Sequence, residues 1–184
     1  MTEGKLSYPD SVIPVHRFQY CAMCKAALRR KPLFADEIPR IHCIECGWTQ
    51  LLSNCVCVAV VVKHEVGIVF IHPPDGRGAG LPAGIAEYGE SPEEAAVRET
   101  LEETGLEVEI IRSLGWSFAR YDEFPGPTLY VLFEAQAVGG QLREGDERPA
   151  KVYSVSDLPS ISPKRHGSYT SLKRYLDTVK CPEG

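Results

Sequence analysis

Hydrophobic patterning along the chain becomes strong at "CVCVAVVV", residues 55–62, an apolar, β-branched run that reads as a buried strand. "GIVFI" at 67–71 reads as its partner, with "KHEV" as the hairpin link between them. The pattern then breaks into "HPPDGRGAGLPAG", residues 72–84, whose glycines and prolines predict a loop system. A helix is expected over 92–104, with Ser91 as N-cap, Pro92 at the first helical position, Glu94 closing a capping box and Gly105 as the stop. On a helical wheel Val97, Leu101 and Thr104 are placed toward the core, and Glu99, Glu102 and Glu103 point the other way. "EVEIIRSLGWSFARY" and "TLYVLFEAQAV" are further strand candidates, "KVYSVSDLP" holds a last short strand, and "SYTSLKRYLDTV" reads as a closing helix. Strands on both sides of a central helix, with a second helix at the end, imply a mixed sheet sandwiched between helices.

Length and charge narrow this picture. The 184 residues, 43% hydrophobic, suffice for one ordinary domain and a small satellite. A formal net charge of -5 argues against a surface that seeks nucleic acid as a whole, while leaving room for a local basic patch. The longest apolar stretch, Val56 to Val62, is too short to span a membrane. "MTEGKLSYPDS" lacks the basic-then-apolar pattern of a secretion signal, so the expectation is a soluble cytoplasmic protein whose seven cysteines are not a disulfide framework. Residues 1–14 read as a loosely docked arm, 15–50 as a cysteine-bearing module and 51–184 as the main domain.

Cys21 and Cys24 form one C-x2-C pair and Cys43 and Cys46 another, with eighteen residues between them. This spacing suits a four-thiolate zinc site, each pair on a tight knuckle, in a segment too short to fold on a core of its own. Four sulfurs leave no open position on the metal, so the role would be structural. Disulfides or core thiols are the plain alternatives. Cys55, Cys57 and Cys181 read as packing or incidental thiols. The same segment carries "CKAALRRK", with Lys25, Arg29, Arg30 and Lys31, which is either a solvated basic turn or a nucleic-acid contact without interleaved aromatics.

"RETLEETG", residues 98–105, crowds Glu99, Glu102 and Glu103 into one helical turn, where like charges repel. Either this is a solvated acidic face, or the carboxylates converge with glycine-loop carbonyls on a hard divalent cation that removes the repulsion.

Gly84, Glu90 and the run from Arg98 to Leu106 together resemble the signature of the Nudix hydrolases, G-x5-E-x7-R-E-U-x-E-E-x-G-U, where U is bulky and aliphatic. Every glycine and polar position matches, and Thr100 stands at one U position, a packing site. The resemblance implies a Nudix-type α/β/α sandwich preceded by a zinc ribbon, and Mg2+- or Mn2+-dependent hydrolysis of a nucleoside diphosphate linked to another moiety. By position, it implies that Glu99, Glu102 and Glu103 are metal ligands helped by the Gly84 carbonyl. Arg98 would orient a glutamate, and Glu90 would support the metal shell. Glu144, Asp146 and Glu147 are candidates for a general base, with solvated loop acids as the plain reading.

A ribbon ahead of the box looks like the zinc-ribbon members that cleave NADH, FAD or ADP-ribose to AMP and a phosphorylated product. The Ser-Gln-Pro-Trp-Pro-Phe-Pro type motif of NADH-cleaving members is replaced by "SFARYDEFPGPTLY", which favours FAD or ADP-ribose over NADH. The Trp usual before "LP" is absent from "GAGLP", and "IHPP" stands where basic residues are common. Tyr121 and Phe124, with Trp116, are candidates to stack on a substrate ring, whereas Phe118 is expected in the core. Arg77, Arg120 and His72 are candidate phosphate contacts, and Glu147 a candidate substrate contact. A homodimer is expected by analogy with the family. A different class stays open: a zinc-ribbon nucleic-acid binder or RNA-end processing protein that uses the domain to recognise a nucleotide.

Overall fold

The computed structural model describes residues 18–31, 40–50, 53–74, 78–120, 126–144 and 149–180. Two compact units make up the chain: residues 1–54 with 120–127, and residues 55–119 with 128–184.

In the first unit, β1 (Leu28–Lys31), β2 (Arg40–Cys43) and β3 (Thr49–Gln50) form an antiparallel sheet in the order β1-β2-β3, with Leu28 opposite Cys43. So small a sheet has little apolar interior; among its described residues Cys21, Ile41 and Cys43 are buried. Lys25 and Gly47 each follow a C-x2-C pair at positive φ, 64° and 77°, which turns the chain tightly behind each pair. The amide of Lys25 donates to Cys21 O at 2.9 Å, and that of Gly47 to Cys43 O at 3.0 Å.

The second unit is the expected mixed sheet between helices. β4 (Cys55–His64), β5 (Gly67–Ile71), β7 (Leu106–Ala119), β8 (Thr128–Gly140) and β9 (Ala150–Tyr153) lie in the order β7-β8-β4-β5-β9, and β6 (Ala83–Ile85) pairs with β4. β4 and β8 run parallel, from Cys55 opposite Thr128 to Lys63 opposite Gln136. Val58 to Val62 are fully buried because both faces are covered, which is why this run is continuous rather than alternating. Val58, Val60 and Val62 pack toward α1 (Pro92–Thr104) with Phe133 and Ala95. Val61, Ile68 and Phe70 pack toward α2 (His166–Lys180) with Leu172 and Tyr175. Among the described residues no helix is long and apolar enough to cross a membrane.

The predicted punctuation of α1 is present in full: Ser91 Oγ accepts from the Glu94 amide, Glu94 Oε2 accepts from the Ser91 amide, and Gly105 stops the helix at φ 76°. A Cβ at Gly105 would collide with the Gln141 carbonyl oxygen. Gly105→Ala is therefore expected to cost roughly 2 kcal/mol or more, read as a lower urea midpoint.

Two expectations fail here. Val97 and Leu101 are not core residues but 37% and 43% exposed; Thr104 is buried as expected, and Ala95, Ala96 and Thr100 face the interior with it. Small residues let the helix lie close to the sheet, and the Thr100 and Thr104 hydroxyls are satisfied by donating to Ala96 O and Thr100 O at 2.7 and 2.6 Å. The other failure is the end of the loop system. Ala83, Gly84 and Ile85 form β6 opposite Ala59, Val58 and Cys57, because β5 leaves β4 after two residue pairs and frees its edge.

Candidate active site

The acidic helix is held to β6 by one guanidinium. Arg98 Nε and Nη2 donate to the two oxygens of Glu90 at 2.8 and 2.9 Å, and Nη1 donates to Glu99 Oε1 at 2.8 Å and Glu102 Oε2 at 3.2 Å. Nη2 also donates to Ile85 O at 2.9 Å, so the same group spans helix, preceding loop and strand. Glu103 Oε2 accepts from the Ala83 amide at 2.9 Å. Between these contacts lies Gly84, where a Cβ would fall inside the Glu99 carboxylate. The side chains of Glu90 and Glu99 are 16% and 15% exposed and that of Glu102 is 59% exposed, so the cluster opens to solvent at Glu102.

Charge follows from this geometry. The Arg98 side chain, and then the Glu87 amide, hold the Glu90 carboxyl down to about 2. Glu90 and then Glu99 hold Arg98 more firmly protonated. A carboxyl depressed in the fold stabilises it fully above its unfolded value of 4.5 and loses that contribution as pH falls toward 2. Denaturant midpoints of the wild type and Glu90→Gln are thus expected to differ at pH 6 and to converge as pH falls from 4.5 to 2.

The structure brings together Gly84, Glu90, Arg98, Glu99, Glu102 and Glu103, the complete set singled out on the helix and its loop. The donor chemistry is that of a hard divalent cation: Glu99 lies against Gly84, Glu102 reaches Arg98 Nη1 and Glu103 the Ala83 amide, three carboxylates with the Arg98 guanidinium among them. The hydrogen bonds of Ala83 N–H and Ile85 O to this set were not legible in sequence, since both are backbone groups of a strand hidden by its Pro-Gly setting.

Other candidates separate. Glu144 is exposed, and Arg120 is exposed and lies in the first unit. Trp116 is 64% exposed; Phe118, expected in the core, is 37% exposed. The reason is that alternation is regular here: Ser117 and Ala119 take the buried face of the edge strand β7, which leaves Trp116 and Phe118 on its exposed one. His72 Nε2 is engaged by the Tyr153 hydroxyl at 2.9 Å, and burial, then Lys151 and Arg165, lower its pKa. Arg77, Tyr121, Phe124, Asp146, Glu147 and Cys181 lie outside the described residues. Cys57 is buried with its Sγ 3.8 Å from Cys55 Sγ; burial, then Cys55, push its thiol up to about 12, so it is an inert packing group.

In the first unit, Cys21, Cys24, Cys43 and Cys46 bring their sulfurs within 4.8 Å of one another. Cys21 and Cys46 Sγ are 3.6 Å apart, and Cys24 and Cys43 Sγ 3.5 Å. Tetrahedral zinc with bonds near 2.3 Å separates its sulfurs by about 3.8 Å, so the quartet is built to that scale.

Fold and site together define an α/β/α sandwich with an acidic helix locked to a glycine at the sheet. The family model described as NUDIX domain matches residues 54–175, and the chain belongs to that family. It is a Nudix hydrolase, an enzyme acting on phosphorus-containing acid anhydrides. An ADP-ribose pyrophosphatase of Methanocaldococcus jannaschii is 37% identical over 116 residues, 60% of this chain and 68% of the relative. The NAD-capped RNA hydrolase NudC of Chromobacterium violaceum is 30% identical over 151 residues, 79% of this chain and 54% of the relative. The chain thus spans about half the length of that relative. A NUDIX hydrolase from Nitrosomonas europaea shares the fold with TM-score 0.71 and 24% identity, covering 88% of this chain and 92% of that one.

Proposed function

We propose that this chain is a Mg2+- or Mn2+-dependent pyrophosphohydrolase that cleaves ADP-ribose to AMP and ribose 5-phosphate. The carrying observation is the Arg98 clamp, which holds Glu102 and sets Glu99 against Gly84, while Glu103 accepts from the Ala83 amide. Glu99, Glu102 and Glu103 would hold the metal, which when bound neutralises diphosphate charge and lowers the pKa of a coordinated water. Arg98 sets the direction of the Glu99 carboxylate, and Glu90 keeps Arg98 in place by a bidentate pair. The absence of a side chain at Gly84 leaves the Glu99 carboxylate room beside the strand. ADP-ribose is favoured over FAD because a 37% identical relative carries that activity in its name, and over NADH because "SFARYDEFPGPTLY" lacks the NADH-type motif.

The same reading takes residues 15–50 as a structural zinc ribbon and 51–184 as the hydrolase domain. A second substrate class has its own support: the match to NudC, at 151 residues, is longer than the 54–175 domain match and so reaches beyond it. NAD-capped RNA therefore joins the panel.

The test is chromatographic product analysis with Mg2+ and ADP-ribose, FAD, NADH or an NAD-capped oligonucleotide. AMP and ribose 5-phosphate from ADP-ribose are expected at the highest kcat/KM. Preference for the capped oligonucleotide would replace ADP-ribose by the second substrate, and no cleavage of any of the four would overturn the reading.

A further inference from the structure

In the first unit the chain ahead of Cys21 adds an edge to the small sheet. Tyr20 is opposite Ala27, the Leu28 amide donates to Gln19 O, and the Cys21 amide donates to Ala26 O, both at 2.8 Å. The same register carries Phe18 to the position opposite Arg29. Arg29 is in turn opposite His42, and His42 opposite Thr49. Residues opposite one another share a face of a sheet, as do residues two apart on one strand, so Phe18, Tyr20, Ala27, Arg29, His42 and Thr49 stand on one face. The 2.9 Å contact between His42 Nδ1 and Thr49 Oγ1 agrees with this placement. Cys43 alternates with His42 and is opposite Leu28, so the buried thiol belongs to the other face.

Tyr20 is 69% and Phe18 39% exposed, and Ala27, opposite Tyr20, is too small to cover its ring. Aromatic rings held in solvent on a paired strand, with a guanidinium beside them, make a stacking surface for flat groups. The positions of Phe18 and Tyr20 are about 7 Å apart along the strand. That is twice the ~3.4 Å between stacked bases of one nucleic-acid strand, so each ring has room for a base of its own. The charge suits the phosphates that join such bases. Residues 18–31 and 40–50 carry Lys25, Arg29, Arg30, Lys31 and Arg40 against Glu45, in a chain whose formal net charge is -5. Asp36 and Glu37 lie outside the described residues. Along the sequence the basic run has no interleaved aromatic; the fold supplies two, because the turn from Cys21 to Ala26 brings Phe18 and Tyr20 alongside β1.

We propose that this face binds single-stranded RNA, with Phe18 and Tyr20 stacking on successive bases and Arg29 engaging the phosphate between them. Stacking on two separate rings requires unpaired bases, so the occupant is a single strand and not a duplex. RNA is chosen over DNA because His42 and Thr49, beside Arg29 on the same face, offer an imidazole and a hydroxyl to a 2′-hydroxyl. The face carries no carboxylate cluster, so it holds the strand without cutting it. The inference goes beyond the hydrolase reading and does not rest on it, since a strand with no diphosphate offers the acidic helix nothing to cleave.

The test is fluorescence anisotropy of a short labelled RNA with a 5′-hydroxyl end, titrated with the full chain, beside DNA of the same sequence and the RNA duplex. The wild type is expected to bind the single-stranded RNA most tightly. Tyr20→Ala should weaken it about tenfold and Tyr20→Phe should keep it, while Arg29→Ala should weaken it and lower the salt slope by about one. Metal content and ADP-ribose turnover of all three variants should equal those of the wild type. Absent RNA binding, or Tyr20→Ala and Arg29→Ala binding like the wild type, would overturn the site. Equal affinity for the duplex would overturn stacking, and equal affinity for DNA the choice of RNA. A dimer that Tyr20→Ala dissociates, in protein that binds no RNA, would give the face to a second copy. Anisotropy decides even if the wild type cleaves none of the four substrates, so the two readings fail separately.

Discussion

Glu103→Gln is expected to lower kcat for ADP-ribose by about a thousandfold, or ~4 kcal/mol of transition-state stabilisation, while the protein stays folded. The fold survives because a glutamine oxygen still accepts from the Ala83 amide, as Glu103 Oε2 does at 2.9 Å. What the substitution removes is charge, and charge is what the cluster supplies to a divalent cation. Raising Mg2+ should recover part of the loss if the variant binds metal weakly. Glu102→Gln is the informative comparison: its side chain is 59% exposed and reaches Arg98 Nη1 at 3.2 Å, a longer contact than Glu99 makes. A smaller loss is expected there. Steady-state kinetics on the three proteins at two Mg2+ concentrations, with circular dichroism as the folding control, would decide. Wild-type kcat in Glu103→Gln would remove the carboxylate site from the mechanism.

The contrast between these glutamates shows where sequence reasoning ended. Spacing alone located the acidic turn, and capping chemistry placed both ends of α1, because Ser91, Glu94 and Gly105 act on backbone groups within four residues of themselves. The valine run of β4 was legible for a similar reason, since burial on both faces demands an unbroken apolar stretch. The inward face of α1 was not. Thr104 was placed correctly, but hydrophobicity favoured Val97 and Leu101 beside it; the helix must lie close enough for Arg98 to reach Ile85 O, and that proximity selects Ala95, Ala96 and Thr100. β6 escaped for lack of length and because Pro82 and Gly84 mimic a loop; what makes it a strand is the free edge of β4, a tertiary fact. Tyr153 holding His72, and α2 placing His166 over Tyr130, join positions 81 and 36 residues apart, beyond any local pattern.

Metal removal is expected to have its largest effect in the first unit. Metal analysis of the reduced protein should find one zinc per chain, and chelation should abolish amide-exchange protection across Arg40–Cys43. The argument starts from size. A sheet of four-residue and two-residue strands, in which Ile41 is the buried aliphatic residue among those described, has too little apolar surface to offset the entropy of ordering its chain. Four sulfurs already gathered within 4.8 Å do not stabilise it by contact alone, because thiols are weak hydrogen-bond partners. A structural zinc contributes on the order of 10 kcal/mol, enough to decide whether such a segment folds. Both knuckles are shaped for it in advance, and the conformations that shape them differ in cost. Gly47 adopts its positive φ freely, whereas Lys25 holds φ 64° against a penalty of roughly 1 kcal/mol. Lys25→Gly should therefore leave zinc content unchanged and make chelation slower, while Cys43→Ser should lose the metal and the protection together. Full exchange protection in zinc-free protein with four reduced thiols would show that the sheet stands without the ion.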